Sequence, residues 1–69
     1  MTRKFKIKML TAEVFGLSTD RLRSVMVLAR SLSRDGDVME ATVPEQKGLE
    51  LMDALSRYGV TYLVEELRA

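Results

Sequence analysis

The chain has no cysteine, no histidine and no tryptophan, and proline occurs once in its 69 residues. Without cysteine there is no disulfide framework, and without cysteine or histidine the preferred ligands of zinc and other transition metals are missing. The same two absences remove the commonest general base and the most nucleophilic side chain from any catalytic scheme. A nucleophile would have to be Ser, Lys, Asp or Glu. No glycine-rich phosphate loop and no carboxylate series with metal spacing occurs. Glu65 and Glu66 are neighbours, and on a strand neighbours point to opposite sides. The sequence thus reads as that of a non-enzyme, with no catalytic residue, metal or cofactor expected. An excess of either charge is also lacking. Eleven Lys and Arg stand against ten Asp and Glu, a net charge of +1, so no global field gathers nucleic acid or anionic membrane. The longest apolar run is Val25 to Ala29, far below the ~20 residues that span a bilayer. No apolar segment follows the basic N-terminus as in a secretory signal. A cytoplasmic location without membrane association is the expectation.

What is present suits a folded domain: 46% hydrophobic and 30% charged residues. Residues 1–69 read as one small domain. A chain this short buries only about 60% of the surface its unfolded form exposes. Close packing or self-association must supply what disulfides and metals do not.

Residues 3–10, RKFKIKML, alternate, with Phe5, Ile7 and Met9 on one side and Lys4, Lys6 and Lys8 on the other. That is the period of a half-buried strand. Residues 11–17, TAEVFGL, leave helix and loop both open, with Gly16 marking a turn or a helix end. Ser18 is a suitable N-cap with Asp20 in the first turn, and the helix it opens is predicted to reach about Ser33, where Arg30 and Arg34 suit its C-terminal end and Gly36 stops it. Val38 to Val43 reads as a second strand. Pro44 begins a second helix running to about Tyr58, with Gly59 as a left-handed cap and Leu51, Met52, Leu55 and Tyr58 as its apolar stripe. Residues 60–66 form a last strand, Val60, Tyr62 and Val64 inward, Thr61, Leu63 and Glu65 outward. The expected fold is α+β, in the order β-α-β-α-β, with two helices packed on one face of a three-stranded sheet. Its other face would carry Lys4, Lys6, Lys8, Val38, Glu40, Thr42, Thr61, Leu63 and Glu65, with opposite charges pairing across strands.

The stretch VMEATVPEQKGLELMDALSRYGVTYLVE, residues 38–65, resembles the C-terminal domain of the bacterial ribosomal stalk protein. The shared features are a short strand, a turn into a helix with Leu51, Ala54 and Leu55, then Gly59 and an alternating strand. FGLSTDRLRSVM, residues 15–26, is similar to that family's glycine-leucine run and charged helix, although only TAEVF stands where the family has a full preceding helix. The resemblance implies a small docking domain that recruits translation GTPases through basic helix residues, of which Arg21 and Arg23 are the matching positions here.

Three surfaces are candidates for partners. On a helical wheel Leu22, Val25, Met26, Ala29 and Leu32 form the first helix's buried side, and Leu28 widens it. Arg23, Val27, Arg30 and Arg34 lie opposite, a basic ridge around an apolar centre that suits an acidic protein partner; the alternative is a solvated helix face. Val14 and Phe15, with Leu17, either form an exposed hot spot or seal the end of the core, the latter favoured by the shortage of large side chains. Lys4, Lys6 and Lys8 either contact phosphate or protect an edge strand, and protection is favoured because no aromatic ring interleaves with them. The five methionines and the two tyrosines are read as core and core-edge residues. The leading expectation is a non-enzymatic protein-binding module, an adaptor or inhibitor of a larger machine. A nucleic-acid-binding module, and a subunit self-associating through the wide apolar arc of the first helix, are the alternatives.

Overall fold

Alternation in the sequence becomes a two-faced sheet. The structure, a computed structural model, describes residues 3–29 and 32–67. Its elements in order are β1 (Lys4–Leu10), α1 (Thr11–Phe15), α2 (Thr19–Leu28), β2 (Leu32–Asp35), β3 (Val38–Pro44), α3 (Glu45–Tyr58) and β4 (Tyr62–Leu67). The four strands form one sheet in the order β2-β3-β1-β4, each antiparallel to its neighbour. In each half of the chain two parallel strands joined by a helical crossover straddle a strand of the other half: β1 and β2 flank β3, and β3 and β4 flank β1. This is the split βαβ, or ferredoxin-like, arrangement, with α1 as an added turn of helix. The topology alone carries no function.

The expected α+β class holds, with two corrections: among the described residues the sheet has four strands where three were expected, and there are three helices where two were expected. Both arise in the segment predicted as one helix reaching Ser33. That helix, α2, ends at Leu28, and Leu32 to Asp35 extend alongside β3. The cause is the turn that follows. Gly36 adopts φ +61 and Asp37 stays at negative φ. A Gly-first two-residue loop with that sign pattern is the chemistry of a II′-type hairpin, whose twist matches that of paired strands. Gly36 therefore closes a hairpin instead of stopping a helix.

One face of the sheet makes the core. Ile7 and Met9 from β1 and Met39, Ala41 and Val43 from β3 are buried against Leu51 and Leu55 of α3, Val25 of α2 and Val14 of α1. Because α3 packs on β1 and β3, its buried stripe follows the predicted Leu51–Leu55 spacing. Gly48 shares that face: a Cβ there would lie 2.6 Å from Cδ2 of Phe5, so the aromatic ring rests directly on the helix backbone. The helix ends as its sequence predicts, with Gly59 at φ +76 and Val60 N–H donating to the Leu55 carbonyl, the pattern of a Schellman cap. Ser18 occupies the N-cap of α2, but its side chain makes no capping bond; its carbonyl accepts from Leu22 N–H.

The ambiguous residues 11–15 form α1, too short to persist alone. Three long-range hydrogen bonds hold it. Thr11 donates twice to the β2–β3 turn, from N–H to the Asp37 carbonyl (2.8 Å) and from Oγ1 to the Gly36 carbonyl (3.1 Å). Glu13 Oε1 accepts from Thr61 N–H at 2.8 Å, tying α1 to the approach to β4.

Candidate functional site

The inner side of α2 is committed to the core, Val25 wholly buried and Leu22, Met26 and Leu28 partly so. Its outer side is therefore determined. Val27 is 62% exposed, and Arg23, one turn earlier, is exposed beside it on the same face. Arg21, on the flank, places its guanidinium 5.1 Å from the centre of the Tyr58 ring, joining α2 to α3. Of the four positions expected in the basic ridge, Arg23 and Val27 stand together. Arg30 lies outside the described residues. Arg34 does not belong to the ridge, because the helix has ended before it. It sits on β2 opposite Met39, with Nε donating to the Gly36 carbonyl (3.3 Å) and the guanidinium 5.6 Å from the Phe15 ring centre.

That pairing divides the two apolar loop candidates. Val14, expected among the partner-contacting residues, is fully buried on α1 and belongs to the core. Phe15, the next residue, turns outward, is 48% exposed and stacks under Arg34. Sealing the core and facing solvent were alternatives for the pair, and each residue takes one.

The lysine strand is not where it was expected. Edge protection does not apply to Lys4, Lys6 and Lys8, because β1 lies between β3 and β4. They run down the middle of the uncovered face. Lys8 pairs with Glu40 of β3 at 3.7 Å, and Lys6 stands in register with Glu65 of β4. Cross-strand charge pairing was the expectation for this face, and the Lys8–Glu40 contact is an instance of it. Towards the β1–α1 end the face turns apolar. Leu10, Val38 and Leu63 border a cavity of about 260 Å³ with Lys8 at its rim, and Leu63 is 71% exposed. Tyr62 also lines this cavity, although its hydroxyl lies 3.0 Å from Ser56 Oγ of α3; the rings of Phe5, Phe15 and Tyr58 lie elsewhere. Phe5 and Tyr62 align with Val43 and Met9 on the helix side, while Phe15 and Tyr58 belong to helices. The sheet thus lacks the rings on which unpaired bases stack.

Comparison with protein-family models, with curated proteins and with solved structures finds no match to this chain. The residues that carry the resemblance to the stalk domain fold as β3, α3 and most of β4. Arg21 and Arg23 fall on α2, and α1 spans five residues. No group of three or more acidic side chains that would hold a metal ion occurs among the described residues. No helix among them is long and apolar enough to cross a membrane.

Two features of this surface were missed in the sequence. The Gly36-Asp37 pair between LSRD and VMEA is a hairpin signal, and heeding it would have removed Arg34 from the helix. The apolar end of the open face had a signal too: Leu10 continues the lysine side of β1, and Val38 and Leu63 belong to the outward sets of their strands.

Proposed function

We propose that the chain is a small non-enzymatic protein-binding module, an adaptor or inhibitor that docks on a larger protein machine through the outer face of α2. The observation that carries this reading is Val27, an apolar side chain 62% exposed on a helix whose other side is already spent on the core, with Arg23 beside it. An arginine next to a desolvatable aliphatic centre is the composition of a contact patch. Arg contributes bidentate pairing and apolar stem area together, and it selects a partner with carboxylates around an apolar hollow. The stalk resemblance supports the same role through Arg21 and Arg23.

Capture from native lysate treated with nuclease, using the wild-type chain beside Arg23→Glu and Val27→Asp variants, tests the reading. Both substitutions are at exposed positions and change stability by less than about 0.5 kcal/mol. Each should abolish retention of the specific partner, by like-charge juxtaposition in one case and a charge at the centre of the patch in the other. Leu55→Ala is the contrast, destabilising the fold by about 2–5 kcal/mol as a core truncation. Retention of the same partner by both surface variants contradicts docking through α2. The nucleic-acid alternative draws less support, since Lys8 is engaged by Glu40 and no ring shares the lysines' face. It would reassert itself if binding to duplex weakened steeply with salt, by about 0.9 in the log–log slope per phosphate neutralised.

A further inference from the structure

We propose that the open face of the sheet is covered by the same face of a second copy of the chain, about a twofold axis running along the strands between β1 and β3. The inference is independent of docking through α2, and it moves self-association from that helix to the sheet. The strand registers define rows across this face. Asp35, Val38 and Leu10 make one row; Ser33, Glu40, Lys8 and Leu63 the next; Thr42, Lys6 and Glu65 the third.

A twofold axis in that position lays β1 of one copy over β3 of the other and preserves height along the strands. Leu10 then meets the second copy's Val38, Lys8 meets its Glu40, and Lys6 meets its Thr42. Each contact occurs twice, as a self-complementary interface requires. Apolar meets apolar at the end of the face where Leu10 and Val38 border the 260 Å³ cavity, and in the next row Lys8 meets the opposite charge of Glu40. An axis across the strands would lay β1 on β1 and set lysine against lysine, a juxtaposition that interfaces avoid. The charge pattern therefore selects one of the two aligned packings, and packed sheets tolerate the ~30° twist between them.

Size sets the strength. With strands about 4.8 Å apart and about 3.4 Å per residue, the face offers roughly 450 Å² per copy. The pair buries less than the ~1,200 Å² at which standard interfaces begin, so the dimer is weak and reversible.

Sedimentation velocity from micromolar to millimolar concentration tests the proposal. The wild-type chain should move from 7.8 kDa towards twice that mass as concentration rises. Lys8→Glu and Glu40→Lys chains, their folds checked by circular dichroism, should each stay monomeric where the wild type is dimeric. Their equimolar mixture should dimerise again. Both contacts between the copies are then of opposite sign, although the pair within each chain is not, so recovery reports the contact between copies and not the internal ion pair. A wild-type monomer throughout overturns the proposal. So do single variants that dimerise like the wild type, or a mixture that fails to recover.

Discussion

Gly48 is the residue on which helix and sheet meet most closely. In a helix interior glycine is about 1 kcal/mol worse than alanine on propensity, so Gly48→Ala would stabilise an isolated helix. Here the added methyl would enter the Phe5 ring at 2.6 Å from Cδ2, and an overpacked core costs about 1–3 kcal/mol. The account predicts that Gly48→Ala lowers stability by about 1 kcal/mol in denaturant unfolding and that truncating the ring in the same chain, with Phe5→Leu, relieves the alanine's penalty. Additive losses in the double variant would show that the two residues do not touch. Val27 is the opposite case, exposed where nothing in the fold needs an apolar side chain.

At the scale of elements, the β2–β3 hairpin and α1 stabilise one another through Thr11. Thr11→Val removes the Oγ1 bond to the Gly36 carbonyl and keeps the shape. That carbonyl also accepts from Arg34 Nε, so the expected loss is at the lower end of the usual ~0.5–1.5 kcal/mol. Gly36→Ala should cost more, about 1–2 kcal/mol, because φ +61 lies in the left-handed region that a Cβ disfavours. Chemical denaturation of both variants checks the order; a Gly36→Ala chain as stable as wild type would contradict the hairpin. The same elements show what was legible from residues alone. The alternation in β1 and β3 assigned their side chains to the correct faces, and Gly59 ended α3 as expected; Pro44 closes β3 one residue before the helix it was expected to begin, and Val64 of β4, expected inward, is 42% exposed. These are local signals, written in period and in turn chemistry. The ridge of Arg23, Val27, Arg30 and Arg34 was built on helical periodicity carried past Leu28, where the competing signal was a two-residue turn. That β1 is central and not an edge depends on which distant strands pair with it, and nothing in residues 3–10 encodes that.

Across the whole molecule, the two surfaces lie on opposite sides of the sheet. If two copies join through their open faces, their α2 helices point outward in opposite directions, and the dimer presents two docking faces. A partner with two matching sites would then be held by avidity beyond either single contact. Docking itself is the central claim, and it has a location. Amide chemical shifts of the labelled chain, followed while the nuclease-resistant partner is added, measure that location directly. The account predicts perturbations concentrated from Thr19 to Val27 on α2, with Lys6, Lys8 and Leu63 on the open face unmoved. Shifts confined to the open face, with α2 unaffected, would contradict it.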